Sequence, residues 1–341
     1  MPTEDSAPRP MLSLLTEQFS SALRPHESLA RHGTFGVGGP ADAWITLTTD
    51  EQLITLVSLA RSHAWPLMLV GNGTNVLYAD AGARGIVARM ALDEWRLEPA
   101  EDDQHALLIA GAGVNLPKLV NDLADAGLAG LEWGAGVPGT IGGAVVSNAG
   151  AHGQCVADTL RTARVLFTDP ADAADTVPPA VRDLPAADLY LDYRHSRFRA
   201  ARRVVFDDDG RPVAAPRAPI EPPEMIVGAT FLLTRDDHAA IRARVRAYRQ
   251  HRKDTQPPQP SAGSVFKNPP GDYAGRLIEA CGLKGTRLGK AEISPRHANF
   301  IVNTGGASAA DVVGLIALAR RTVRARFGVE LELEVEPRGD W

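Results

Sequence analysis

Apolar residues in the first half of the chain recur in two rhythms that predict strands alternating with helices. Trp44-Ile45-Thr46-Leu47 reads as a strand, and Thr48-Thr49 lead into Asp50-Glu51-Gln52, which open a helix carrying Leu53, Leu56, Val57 and Ala60 on one face. Residues 66–70 read as a buried strand running straight into Gly71-Asn72-Gly73-Thr74-Asn75, and Gly85-Ile86-Val87 as another. A strand over 106–110 ends in Gly111-Ala112-Gly113. Asn115 then caps a helix with Leu116, Leu119, Val120 and Leu123 inward, Pro117 in its first turn and Gly127 at its close. Strands follow at 163–167, at Val204-Val205-Phe206 and at 229–233. The Ala-, Pro- and Asp-rich segments 169–189 and 210–223 between them read as surface excursions carrying little chemistry.

The pattern changes near residue 236, where a domain boundary is expected. A basic helix over 236–253 places Ile241, Val245 and Tyr248 on one face, and residues 251–260, HRKDTQPPQP, read as a linker. Ala274, Leu277, Ile278 and Cys281 repeat at helical spacing up to Gly282, which makes Cys281 a core thiol. A long helix over 308–327 ends at Gly328. Beyond it Val329, Leu331, Leu333 and Val335 alternate with Glu330, Glu332, Glu334 and Glu336, predicting a strand over 329–336 with one apolar and one acidic face. Residues 1–24 are polar and Pro-bearing, and 1–30 read as an extension; 31–235 form a first domain with subdomains 31–88 and 89–235, and 236–341 a second.

Composition narrows the function. The 341 residues suit about two domains at roughly 150 residues each. With 36 Lys+Arg against 41 Asp+Glu the net charge is −5, which excludes a strongly basic nucleic-acid face. Cys155 and Cys281 are too far apart in sequence for a CxxC site and too few for a disulfide framework, pointing to a reducing compartment. No run of 18 apolar residues exists, and the N-terminus lacks the basic start and apolar stretch of a signal peptide, so a cytoplasmic chain without membrane insertion is expected. His152 and His297 lack partners at metal spacing, and no metal is expected.

Glycine carries the strongest chemical signal. Residues 134–153 hold seven, at 134, 136, 139, 142, 143, 150 and 153, too many for a comfortable helix or strand interior. Gly134-Ala135-Gly136-Val137-Pro138-Gly139 matches G-x-G-x-x-G in form, yet it follows no apolar strand and opens no helix, so a dinucleotide fingerprint is disfavoured. What remains is two loops, 71–75 and 134–153, that offer unhindered backbone N–H groups to a cofactor diphosphate.

The order of motifs is more specific than any one of them. Eight blocks follow one another: Thr34-Phe35-Gly36-Val37-Gly38-Gly39; Gly71-Asn72-Gly73-Thr74-Asn75-Val76-Leu77; Gly130-Leu131-Glu132; Gly136-Val137-Pro138-Gly139-Thr140-Ile141-Gly142-Gly143-Ala144; Asn148-Ala149-Gly150-Ala151-His152-Gly153; Tyr193-Arg194-His195-Ser196-Arg197-Phe198; Gly263-Ser264-Val265-Phe266-Lys267-Asn268-Pro269; and Ala291-Glu292-Ile293-Ser294 with His297-Ala298-Asn299. Over residues 30–336 this series resembles the UDP-N-acetylenolpyruvoylglucosamine reductase family, of the type without an extra tyrosine-bearing loop. The resemblance implies an α+β fold: a vanillyl-alcohol-oxidase-like (PCMH-type) FAD-binding domain of two α+β subdomains, then a C-terminal α+β substrate domain. It further implies non-covalent FAD, NADPH as co-substrate, and reduction of the enolpyruvyl ether of UDP-N-acetylglucosamine to UDP-N-acetylmuramate in peptidoglycan precursor synthesis.

Residue roles carry over on matching positions. The resemblance assigns FAD binding to Gly71, Asn72, Gly73, Thr74, Asn75 and Val76, to Gly136, Val137, Pro138, Gly139, Thr140, Gly142, Gly143 and Ala144, and to Asn148, Gly150, Ala151 and Gly153. Ser264 matches the family's proton donor, with Lys267 expected to assist it; Arg194 matches the arginine that stabilises the developing enolate, and Glu334 the catalytic glutamate. Here Glu334-Val335 continues into Glu336-Pro337 where the family usually has arginine, so the register also admits Glu332 or Glu336. Tyr193, Arg194, Lys267, Asn268 and Asn299 are expected at the substrate, with Arg249, Arg252, Lys253 and Lys267 as cations for its diphosphate. The competing functions are an FAD-dependent alcohol or lactone oxidase and an inactive flavin-binding module.

Overall fold

Two sheets and a small C-terminal unit frame one cleft. The structure is a computed structural model that describes residues 9–168, 179–200, 205–207, 212–213 and 219–341. Val204, and residues 169–178, 210–211 and 214–218 of the expected excursions, lie outside the described residues. The first sheet runs in the order Leu23–Ser28, Pro40–Leu47, Ala83–Met90, Leu67–Val70, Ile220–Glu221, with its first pair antiparallel and the others parallel. Helix Asp50–Ser62 covers it, capped by Thr49 and burying Leu53, Leu56, Val57 and Ala60 as expected. The second sheet is antiparallel: Ala180–Pro185, Leu160–Phe167, Glu224–Arg235, His105–Gly111, Trp95–Pro99. Helix Leu116–Asp125, with Asn115 as its cap, packs Leu116, Leu119, Val120 and Leu123 into the same core.

Several expectations need correction, each for a packing reason. The supposedly polar N-terminal extension contains helix Arg9–Phe19, which buries Met11, Leu15 and Phe19, and Leu23–Ser28 pairs as the edge of the first sheet. Met11, Leu15 and Phe19 are four apart, a single apolar stripe that the flanking polar residues hide in composition. Both surface excursions contribute strands. Ala180–Pro185 extends the second sheet, and Ile220–Glu221, with Ile220 buried, pairs beside Leu67–Val70. The boundary near 236 moves to the far end of helix His238–Thr255, because Ile241 and Val245 bury in the N-terminal core.

The C-terminal unit stacks helices Ala274–Ala280 and Ala309–Phe327 on a sheet of Arg287–Leu288, Ala291–Ile293 and Ile301–Asn303. Its core includes Leu277, Ile278, Ile293, Ile301, Val312 and Ile316, and it is completed by Phe35, Val37 and Leu77 from the N-terminal part. Cys281 packs at the edge of that core as a thiol. The expected strand over 329–336 does not form as a strand. Its apolar side buries, with Leu331, Leu333 and Val335 inward, but its pairing is one bridge between Leu333 and Phe266 and then a separate strand, Glu336–Arg338, parallel to Val76–Tyr78. The chain breaks register because the Val265 carbonyl accepts from both the Glu334 and Val335 N–H groups, at 2.8 and 3.3 Å.

Asp80 ties the units together. Its carboxylate accepts from the first two N–H groups of helix Ala309–Phe327, Ala309 at 2.7 Å and Ala310 at 2.9 Å, in addition to the Ser308 cap. A negative group there satisfies orphan donors and opposes the positive helix end. Asp80→Ala is expected to lower unfolding free energy by about 1–2 kcal/mol in urea titration; an unchanged midpoint and slope would show that the cap contributes nothing.

Candidate active site

The glycine loops meet at one end of the sheets, where they line an open cleft of about 1520 Å³ including its mouth. Gly71, Asn72, Gly73, Thr74, Asn75 and Val76 all line it, as do Val137, Pro138, Gly139, Thr140, Gly142, Gly143 and Ala144. The two loops touch where Gly71 faces Thr140: a Cβ on Gly71 would stand 3.1 Å from the Thr140 hydroxyl oxygen. At Gly73 the φ is +62° and a Cβ would stand 1.9 Å from the His32 carbonyl oxygen, so only glycine fits.

Five glycines in 134–143 do not prevent a helix here. Ile141–Val146 is helical, capped by the Thr140 hydroxyl, which accepts from the Gly143 N–H at 3.3 Å. Gly142 is required because a Cβ would lie 2.8 Å from the Ala112 Cβ, so the helix backbone approaches the second sheet directly. Glycine serves close packing in this helix, at a propensity cost of roughly 1 kcal/mol per residue.

The backbone of residues 71–75 supplies the chemistry. None of its five N–H groups donates to an acceptor among the described residues, although Gly73 and Asn75 carbonyls are bonded. Five orphan donors beside a cleft are costly unless a ligand or water accepts from them, and phosphate oxygens are the matching acceptor. The loop is held from behind. Arg89 donates to the Asn72 side-chain oxygen at 3.0 Å, and the Thr34 N–H donates to the Gly73 carbonyl at 3.2 Å.

Three separated segments converge on the opposite wall. Arg194, Ser264 and Glu334 all line the cleft. Arg194, held at φ +52°, donates through Nε to Glu334 Oε1 at 2.7 Å and through Nη2 to the Gly150 carbonyl at 2.8 Å. Among the three candidate glutamates, Glu334 therefore meets the arginine. Glu332 points away and pairs with Lys267 at 3.3 Å, and Glu336 also reaches the cleft, paired with Arg338 at 2.8 Å. Asn75 Nδ2 donates to the Glu334 carbonyl at 2.8 Å, joining the phosphate-type loop to the acidic segment. Arg199 donates to the same carbonyl.

Other expected residues brace the site from outside the cleft. Asn148 is buried at φ +40°; its Nδ2 donates to the Asp192 carbonyl at 2.9 Å and its Oδ1 accepts from Ala157 at 3.0 Å, so it holds the Arg194 segment against the glycine loop. Gly150 lines the cleft, whereas Gly136, Ala151 and Gly153 do not. Asn299 has both ends of its amide engaged by Phe266, at 2.9 and 2.8 Å, and is a brace for the Ser264 loop. Asn268 Oδ1 accepts from Ala274 at 3.1 Å at the start of a helix, and its N–H donates to the Tyr193 hydroxyl at 3.3 Å. Tyr193 is half exposed, with the Arg194 guanidinium 5.3 Å from its ring centre. Lys267, ion-paired with Glu332, does not line the cleft.

Of the expected diphosphate cations, Arg252 reaches the cleft and lies against Gly136, while Arg249 bonds Asn121 at 2.8 Å elsewhere. Burial and the nearby Arg194 charge push the Arg252 pKa down from its ordinary value, and its guanidinium has no carboxylate partner among the described residues. Sequence reasoning missed Glu221-Pro222, Met225, Gln256 and Arg338. Pro222, Met225, Gln256 and Arg338 line the cleft, and Arg338 pairs with Glu221 at 3.2 Å. Arg338 sat in a short tail without periodicity, and the 210–223 segment was set aside on composition. Gly73→Ala is expected to give a folded protein that purifies without bound flavin, read by visible absorbance and far-ultraviolet circular dichroism; full flavin retention would contradict the cradle.

Comparison with known proteins agrees with this arrangement. A family model described as "FAD binding domain" matches residues 41–169, and one described as "UDP-N-acetylenolpyruvoylglucosamine reductase, C-terminal domain" matches residues 255–337. The second begins where the C-terminal core begins. A UDP-N-acetylenolpyruvoylglucosamine reductase of Chloroflexus aggregans is 42% identical over 321 residues, covering 94% of this chain and 99% of that one. That of Moorella thermoacetica is 40% identical over 316 residues, covering 92% and 93%. The crystal structure of UDP-N-acetylenolpyruvylglucosamine reductase from Thermus caldophilus superposes with a TM-score of 0.68 at 34% identity, covering 92% of this chain and 99% of that chain. The α+β class with an N-terminal FAD-binding domain stands, and the chain belongs to the UDP-N-acetylenolpyruvoylglucosamine reductase family.

Proposed function

We propose that this chain reduces the enolpyruvyl ether of UDP-N-acetylglucosamine to UDP-N-acetylmuramate, with FAD as bound cofactor and NADPH as co-substrate, in the cytoplasm as a step of peptidoglycan precursor synthesis. The observation that carries the reading is the convergence of Arg194, Glu334 and Ser264 on a cleft that also contains five orphan backbone donors. When bound, the flavin would supply the redox chemistry, hydride transfer from the nicotinamide nucleotide to the enolpyruvyl β-carbon in two half-reactions.

The fit of that cofactor rests on the loops. The N–H groups of residues 71–75 would hold its diphosphate, Gly73 lets the loop pass close to the His32 carbonyl and so keep that shape, and Leu69, Met90, Val137 and Met225 offer apolar surface in the same cleft. The rest belongs to the chain's own residues. Charge gathers on the substrate's carboxylate side as the β-carbon gains a hydride, and Arg194 is the cation placed to receive it; one preorganised donor of this kind contributes about 3–4 kcal/mol. Glu334 fixes the guanidinium before substrate arrives. Its second expected role, holding a proton near the enolate, requires that the substrate carboxylate draw Arg194 away from it. Ser264 delivers the proton to the α-carbon, and a carbanionic enol is basic enough to take it from a hydroxyl. Lys267 has no part in that transfer, since its ammonium is paired with Glu332. Arg252 serves the diphosphate of the incoming nucleotide.

An alcohol oxidase on the same fold would need neither an enolate-stabilising arginine nor a proton donor, and an inactive module would not need to maintain their convergence. No helix among the described residues is long and apolar enough to cross a membrane. Ser264→Ala is expected to leave anaerobic flavin reduction by NADPH intact while slowing the reoxidation of reduced flavin by substrate by about 10²–10⁴-fold. Reoxidation at the unaltered rate would remove Ser264 from the chemistry. Flavin that no nicotinamide nucleotide reduces would overturn the reductase reading.

A further inference from the structure

Beside the cleft lies a second, open pocket of about 720 Å³, lined by Ala151, His152, His251, Arg252, Thr255, Gln256 and His297. Arg252 and Gln256 line both cavities, so the two adjoin at these side chains. Its lining contains three imidazoles and a guanidinium and no carboxylate. That composition is unusual on a chain whose net charge is −5.

The imidazoles are positioned. His152, at φ +56°, stacks flat on Tyr248 with ring centres 4.0 Å apart and planes 6° from parallel, and His251 meets its edge at 5.3 Å. Thr255 donates to the His251 carbonyl at 2.8 Å and fixes that turn of the helix. On the facing element, His297 Nδ1 accepts from the Asn299 N–H at 3.2 Å, which puts the ring proton of the neutral form on Nε2. The arrangement offers N–H donors and latent positive charge, and no carboxylate that would repel an anion.

We propose that this pocket is a phosphate subsite that takes the 2′-phosphate of NADPH, and that it makes the chain prefer NADPH to NADH. The proposal rests on the reductase reading above. Both nucleotides that visit the cleft carry a diphosphate, which Arg252 at the junction can serve. Only NADPH carries a further, terminal phosphate, and a terminal dianion is what a pocket of imidazoles beyond that junction suits.

Protonation should tune it. Burial and the charges of His251 and Arg252 hold the His152 pKa below its ordinary value, and burial, aided by Lys284, holds down that of His297 against opposing pulls from a backbone hydrogen bond and from Glu279. The other charged groups nearby are Arg194 beside Arg252, Asp254, whose side chain bonds Gln250 and whose carbonyl accepts from Arg296, and Lys284, paired with Glu279 at 2.8 Å. A bound dianion offsets the repulsion and favours the protonated rings. NADPH binding therefore strengthens as pH falls from about 8 to about 6.5, above the range near 6 where the phosphate takes its second proton.

The test uses the purified flavoprotein, wild type and the His152→Asn/His251→Gln double variant; asparagine tolerates positive φ and keeps the loop conformation. Anaerobic stopped-flow mixing with NADPH and with NADH gives the apparent dissociation constant for each. The proposal expects the double variant to bind NADPH at least tenfold more weakly, with NADH binding and reoxidation by the enolpyruvyl substrate unchanged, and the pH dependence flattened. Two outcomes would overturn it: an unchanged NADPH preference, or weakening confined to the UDP-linked substrate, which would assign the pocket to that ligand's diphosphate. Failure of both nucleotides to reduce wild-type flavin would instead refute the underlying reductase reading, so the two failures are distinguishable.

Discussion

The site depends on the return of the C-terminal segment to the first glycine loop. Asn75 is bonded from both of its ends: its side chain donates to the Glu334 carbonyl at 2.8 Å, and its own carbonyl accepts from the Glu336 N–H at 2.9 Å. Strand Glu336–Arg338 then runs beside Val76–Tyr78, and the Ala79 N–H donates to the Arg338 carbonyl at 2.8 Å. One stretch of backbone thus fixes the cofactor-type loop and Glu334, the acid proposed for catalysis, in a common frame. The same constraint explains why the alternating run at 329–335 is not a regular strand. Its apolar residues serve the C-terminal core, while its last residues must cross to the other unit.

Charge is arranged around that frame. Arg194–Glu334 and Arg338–Glu336 are both partly buried pairs that share one short segment, and the second continues to Glu221. Buried pairs of this kind contribute little net stability, because desolvation offsets their attraction, but breaking one side is costly. Their use here is geometric: they set where a guanidinium and a carboxylate stand before substrate enters. Asn148 and Asn299 do the same with neutral amides, one for the Arg194 loop and one for the Ser264 loop.

Much of the fold was legible because local signals agreed with packing. Thr49, Asn115 and Ser308 cap the helices that their neighbours' periodicity announces; Gly127 and Gly328 close the second and third of these, and Gly282 closes helix Ala274–Ala280, all in the left-handed region. Legibility failed where tertiary contacts overrode local pattern. Gly142 sits in a helix because Ala112 demands a bare backbone there, and the helix at 238–255 joins the core before it in sequence. In the site, loop residues were found through motif order, since glycine reports close approach. Asn299 and Asn268 also hold protein partners, and an amide's partner is invisible until folding supplies it. Arg338 and Pro222 carried no periodic or motif signal at all.

The central claim is that Arg194 and Glu334 work as one unit in the step after flavin reduction. It is tested most directly by mixing pre-reduced flavoprotein with UDP-N-acetylglucosamine enolpyruvate, without oxygen, for wild type, Arg194→Met, Glu334→Gln and the double variant. The account predicts that each single variant slows reoxidation strongly and that the double variant is no slower than the worse single one, since removing either partner dismantles the pair. Losses that multiply in the double variant would mean that the two residues act independently and that the pairing seen in the cleft is incidental to the chemistry.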